Sequence, residues 1–177
     1  LAIIGGSGLY DIEGLSKIDS LKIQTPWGDP SDEIVKANFE SKEVLFLPRH
    51  GKGHFISPSK INFRANIDAL KQLGATDIVS ISAVGSLKED LKPGMFVIVD
   101  QFIDRTFARN KTFFDEDIVA HVSMAKPTSI GLMNACEEAI STEEILYKRN
   151  GTYLVMEGPQ FSTLAESELY RSWGADV

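Results

Sequence analysis

An apolar strand that breaks straight into glycines commits the start of this chain to a backbone-lined loop. Leu1-Ala2-Ile3-Ile4 reads as a short buried strand, and Gly5-Gly6-Ser7-Gly8 follows at once, baring the main chain and one hydroxyl at its end. Glycines permit positive φ and close approach, so successive N–H groups can converge on phosphate oxygens while the Ser7 hydroxyl donates beside them. The plain alternative is a tight turn after a strand. Two nucleotide motifs are not met. A dinucleotide fingerprint in register with Gly6 and Gly8 needs a third glycine where Asp11 stands, and no convincing helix follows it. A P-loop needs a closing Gly-Lys-Ser/Thr, which is missing.

The 177 residues, 43% hydrophobic and 24% charged, suit one α/β domain spanning residues 1–177. With 18 basic against 25 acidic side chains and a net charge of −7, no basic patch is available, so nucleic acid and acidic membrane surfaces are not expected partners. Any anion must be caught by local groups. A single cysteine, Cys136, excludes an internal disulfide, and three scattered histidines give no zinc spacing, so no metal is expected and the setting is a reducing cytoplasm. No signal peptide is read, and the apolar runs are far shorter than the roughly 20 residues a membrane helix needs. The chain lacks an initiator methionine and stops at Ala175-Asp176-Val177, which reads as the start of a strand; the expectation is a domain lacking its C-terminal portion.

Further strands carry related chemistry. Leu21–Gln24 and Ile34–Ala37 read as an antiparallel edge around the turn cluster of residues 25–30. Glu43–Leu47 is a buried strand delivering Pro48-Arg49-His50-Gly51. Ser57 and Pro58 signal a helix running to about Leu73, with Phe63, Ile67, Leu70 and Leu73 on its apolar face and Gly74 as cap. Asp77–Ser82 reads as a central strand that opens into Ala83-Val84-Gly85-Ser86. The sequence strand, loop, helix, strand predicts a βαβ unit, and open α/β sheets bind ligands beyond the carboxyl ends of their strands. Met95–Val99 is another strand, residues 107–128 a long loop, and residues 130–140 a helix with Cys136 in the core. Thr152–Met156 is the last strand, and Thr163-x-x-Glu166 is a capping box for a helix ending at Gly174.

Arg49-His50 pairs a guanidinium, which grips phosphate through two donors, with an imidazole that adds another; the alternative is a surface arginine beside a packed histidine. Ser7 and Ser82 at two other strand ends favour the functional reading. His50 and His54 are not read as a metal pair, because Gly51 and Gly53 disfavour a helix between them. Phe161 either stacks on a flat heterocycle or anchors the core. His121 alone reads as a core or interface residue, and Glu166 and Glu168 as solvated helix charges.

Five segments in order resemble the 5′-methylthioadenosine phosphorylases, within the trimeric purine nucleoside phosphorylase family: Ile3–Leu9, Pro48–Gly51, Ser82–Leu87, Asp100–Thr106 and Glu157–Thr163. The resemblance implies a three-layer α/β fold with a mixed central sheet and cleavage of the N-glycosidic bond of methylthioadenosine by phosphate, giving adenine and 5-methylthioribose 1-phosphate. It implies that Ser7, Arg49, His50, Ser82 and the Ala83 backbone hold orthophosphate, a co-substrate in a reaction without metal or organic cofactor. Gly85, Phe161 and Ser162 would lie at the nucleoside, and His121 would reach the ribose of a neighbouring subunit in a homotrimer. Relatives acting on 6-oxopurines carry glutamate at the position of Ser162; a serine cannot be that ionic acceptor, which favours a 6-aminopurine. An aspartate that contacts the base lies, in the family pattern, beyond Val177, so no catalytic residue is assigned. A phosphate-independent nucleosidase, a phosphorylase of inosine, guanosine or methylthioinosine, and a non-catalytic nucleoside-binding module are the alternatives.

Overall fold

The computed structural model describes residues 1–6, 16–39 and 42–177, without the side chains of residues 17 and 18. The chain divides into two compact units, residues 1–83 with 109–115, and residues 84–108 with 116–177.

The first unit is built on a mixed five-stranded sheet. Its strands are β1 (Ala2–Gly5), β2 (Ser16–Leu21), β3 (Ile34–Phe39), β4 (Lys42–Pro48) and β5 (Ile78–Ile81), in the order β2-β3-β4-β1-β5. β2, β3 and β4 run antiparallel, which gives the expected edge, although β2 ends at Leu21, where the sequence reading has it begin. β4, β1 and β5 are parallel. Helix α1 (Phe63–Gln72) makes the crossover from β4 to β5, so the predicted βαβ unit forms with β1 between its two strands. β5, expected to be central, stands at the end of this order.

The single helix expected from Ser57 to Leu73 is two pieces. A 3₁₀ turn covers Pro58–Lys60, Ile61 returns to extended backbone at ψ 127°, and α1 restarts under the Asn62 side chain, which accepts from Ala65 N at 3.1 Å. The buried face of α1 is Ala65, Asn66, Ala69 and Leu70, while Ile67 is exposed. Small residues win that face because they let the helix approach the sheet, where Leu70 and Ala69 join Ala2, Ile34, Leu45 and Leu47 in one core. Asn66 is tolerated there because its amide accepts from Ser31 N and donates to Ser31 Oγ, at 2.8 and 2.9 Å.

In the second unit β6 (Phe96–Asp104) and β7 (Tyr147–Val155) pair in parallel, both longer than predicted. β7 starts before Thr152 because Asn150, at φ 62°, and Gly151 form an irregularity inside the strand and not a turn before it. Helix α2 (Ile130–Thr142) is capped by Ser129; it buries Met133, whereas Cys136 is only half-buried, short of the predicted core position. Helix α3 (Leu164–Ser172) carries the predicted capping box, with Glu166 N donating to Thr163 Oγ1 and Thr163 N to Glu166 Oε2, at 3.2 and 2.7 Å. Gly174, at φ 85°, ends it. Asp176 N donates to Thr152 O and Leu154 N to Val177 O, so residues 175–177 line up beside β7 in the strand-like way their sequence suggests. No described helix is long and apolar enough to cross a membrane.

Candidate active site

The parallel registers Gly5↔Pro48 and Gly5↔Ile81 bring the next residues, Gly6, Arg49 and Ser82, out of three neighbouring strands at one level. Arg49 spans that crown. Its N–H donates to Gly5 O at 3.0 Å and its Nη1 to Ile81 O at 2.8 Å, while a Cβ added at Gly6 would stand 3.2 Å from its Nη2. The guanidinium is therefore laid beside Gly6 and across to the end of β5, where the Ile81 carbonyl orients it. Ser82 and Ala83 are exposed beside it. Ser7 lies outside the described residues.

His50 is buried, and its protons are already committed. Nδ1 lies 2.8 Å from Ile56 O, an acceptor only, so Nδ1 carries the hydrogen; Nε2 then accepts from Arg49 Nε at 3.2 Å. In this arrangement the neutral ring orients Arg49 and keeps no N–H for an anion, whereas the sequence reading made it a further donor. Burial lowers the His50 pKa from its ordinary value; the Ile56 carbonyl acts the other way, and the positive charges of Arg49 and His54 lower it further. His54 stacks on it, with ring centroids 4.3 Å apart and planes 23° apart. Among the described residues no cluster of three or more histidine, cysteine or acidic side chains could hold a metal ion.

The remaining predicted residues belong to the second unit. Phe161 is 93% exposed, so within residues 1–177 it anchors no core. Ser162 Oγ pairs with Ser167 Oγ at 2.7 Å. Gly85 is exposed, and a Cβ built there meets no atom within 4 Å, so nothing in the described structure demands a glycine. His121 is exposed between Val119 and Val122, themselves 71% and 72% exposed, which excludes a core role within this chain. A cavity of about 390 Å³ is lined by Ser86, Leu87, Lys88, Glu89 and Arg171 and by none of the predicted residues; Arg171 Nε is bonded to Leu87 O.

Glu157 is a residue the sequence reading passed over. Its buried carboxylate accepts from Phe107 N and Ala108 N at 2.7 and 3.1 Å, and Arg105 N donates to Val155 O, so the chain leaving β6 is tied to the end of β7, four residues before Phe161. An acid directly after the apolar run Leu154-Val155-Met156 is the signal that could have found it.

Residues 1–177 match the model of the phosphorylase superfamily from end to end, and the chain belongs to that family. It is 59% identical to an S-methyl-5′-thioadenosine phosphorylase of Rhodospirillum rubrum and 57% identical to one of Cereibacter sphaeroides, over 100% of this chain and 60% and 61% of those proteins. The chain thus spans about three fifths of the relatives' length. Among solved structures, a methylthioadenosine phosphorylase from an antarctic soil metagenomic library superposes with a TM-score of 0.95 at 50% identity, covering 99% of this chain and 62% of that one. The enzyme from Schistosoma mansoni in complex with adenine superposes at 0.93 with 36% identity, covering 99% and 71%. These agree with the α/β, mixed-sheet fold expected from the sequence.

Proposed function

We propose that the full-length protein is a methylthioadenosine phosphorylase, cleaving the N-glycosidic bond with orthophosphate to give adenine and 5-methylthioribose 1-phosphate. The observation that carries this reading is Arg49 laid across three parallel strand ends, at a level shared with Gly6 and Ser82. A guanidinium oriented by His50 Nε2 and Ile81 O is a permanent cation that suits a phosphate dianion, and the exposed Ser82 hydroxyl adds a donor at the same level. As the base leaves, the ribosyl group gains oxocarbenium character; the held dianion stabilises that charge and then captures C1′. Phe161 and Gly85 serve the nucleoside, the aromatic as a stacking face and the glycine as room. Leaving-group protonation is assigned to no residue from 1 to 177, and phosphate enters as a substrate, with no metal or organic cofactor.

The same reading makes the protein a cytoplasmic homotrimer in which His121 completes a neighbour's site, supported by the exposed apolar run around it: Ile118, Val119, Val122 and Met124. Sedimentation of the full-length protein is expected to give three copies; a monomer that still turns over would refute that part.

The deciding experiment follows adenine release from methylthioadenosine with and without phosphate. Release is expected only with phosphate. Equal rates without it would overturn the phosphorylase reading in favour of a nucleosidase, and binding without release would leave a binding module.

A further inference from the structure

The proposed reaction gives His54 no task, yet the fold holds it in a rarely used conformation. It sits at φ 60°, in the left-handed region that only a few per cent of non-glycine residues adopt, histidine more readily than most. Two hydrogen bonds close the loop around it, His54 N to Gly51 O at 2.9 Å and Ile56 N to His50 O at 3.0 Å. The result of that closure is the stacked pair: the His54 ring lies against one face of the buried His50 ring. Backbone strain at such a point is informative when it delivers a side chain to a specific partner.

We propose that His54 is a positioning residue for the phosphate site, a plate that fixes the plane of the His50 ring so that Nε2 presents its lone pair to Arg49 Nε. The torsion that turns an imidazole about its Cβ–Cγ bond is soft and broad. The bond from Nδ1–H to Ile56 O fixes one corner of the ring but leaves it free to swing about that corner. With His54 against its face the swing is blocked, Arg49 Nε keeps its acceptor, and the guanidinium stays turned toward Ile81 O and the crown. Among the described residues, Arg49 from the end of β4 and His54 from the loop act on the charge of His50, and Asp32 accepts from Lys52 N in the same loop. Without the plate, His50 becomes wetter and takes up a proton more readily, and an imidazolium in that place repels Arg49 instead of accepting from it.

This inference rests on the reading that Arg49 holds phosphate, and its test separates the two. In full-length protein, His54→Asn keeps a residue that tolerates positive φ, His54→Gly removes the strain with the ring, and His54→Phe restores a flat face. The Asn and Gly variants are expected to raise the KM for inorganic phosphate about tenfold, the loss of one well-aimed charge-assisted contact, with kcat and the nucleoside KM little changed. The Phe variant is expected to recover most of that loss. The acid limb of kcat/KM for phosphate should move to higher pH in the Asn and Gly variants. Nitrogen-15 spectra of the His50 ring, recorded without phosphate, are expected to show the proton on Nδ1 in the wild type and a raised pKa in those two variants. Wild-type phosphate KM together with unchanged His50 spectra in folded Asn and Gly variants would overturn the inference. Adenine release indifferent to phosphate in the wild type would instead overturn the phosphorylase reading, while the ring spectra still decide whether His54 positions His50.

Discussion

A methyl group added at Gly6 would press on Arg49 Nη2 at 3.2 Å, closer than ordinary contact, without meeting the core. Gly6→Ala is therefore expected to displace the guanidinium by a few tenths of an ångström, weakening phosphate about tenfold, or roughly 1.4 kcal/mol, while the melting temperature stays put. A fall in stability with unchanged phosphate KM would show that the glycine serves the fold and not the site. Arg49→Ala should cost about 2 kcal/mol or more in kcat/KM for phosphate, and Arg49→Lys should not restore it, since an ammonium cannot reach Ile81 O, His50 Nε2 and an anion together. At this scale the sequence singled out Arg49-His50 because the pair directly follows an apolar run. It could not show that His50 turns its only N–H to Ile56 O, since that depends on how the loop of residues 51–56 closes. Ser162, lacking a carboxylate for a purine N1–H, leads us to expect methylthioadenosine to be preferred over inosine by at least about tenfold in kcat/KM.

Elements were legible where periodicity and capping agreed, and misread where backbone irregularity mimics a boundary. The capping box of α3 was visible as Thr163-x-x-Glu166, and its reciprocal bonds are formed. Thr163→Ala is expected to lower unfolding stability by about 1 kcal/mol in denaturant titration. The sequence reading starts β7 at Thr152, whereas the strand runs through Asn150-Gly151 with a shift in register against β6. A side chain at Gly151 would overlap Val97 Cγ1 across that pairing, so Gly151→Ala should destabilise by about 1–3 kcal/mol, read as a lower denaturation midpoint. Of the α1 face predicted from large residues, Leu70 is buried and Leu73 packs on the core, but Ile67 is exposed and Ala65 and Ala69 are buried instead, because closeness of approach to the sheet decides which side packs. Pairing order within the sheet has no local signature, so β5 could be recognised as a strand but not placed at the end of the order.

At the scale of the molecule, among the described residues His50 and Asp176 have a folded pKa below the unfolded one, and pH acts through them. For His50 the folded state resists protonation, so its contribution is complete above pH 6.5 and is lost as pH falls from there through the lowered folded pKa. For Asp176, burial would raise the pKa, but the Lys148 ammonium at 2.6 Å and the Thr152 N–H at 2.8 Å outweigh it and hold the carboxyl low. That contribution is present above pH 3.8 and disappears only as pH drops through the lower folded value. Stability measured against pH is thus expected to decline in two separate steps, the upper removed by His50→Gln and the lower by Asp176→Asn; a single step below pH 4 in the wild type would contradict the His50 assignment.

The strand ends that flank Arg49 belong to backbones held at the fixed spacing of a hydrogen-bonded sheet, about 4.8 Å from one to the next. On the proposed reading, the crown behaves as a gauge block for oxyanions. Its span is machined by the ladder beneath it and not by adjustable side chains, so phosphate and arsenate, alike in size, should be accepted nearly alike. A one-residue slip of β5 against β1, caused by changes deep in the core, would recalibrate the site while leaving every residue in it untouched.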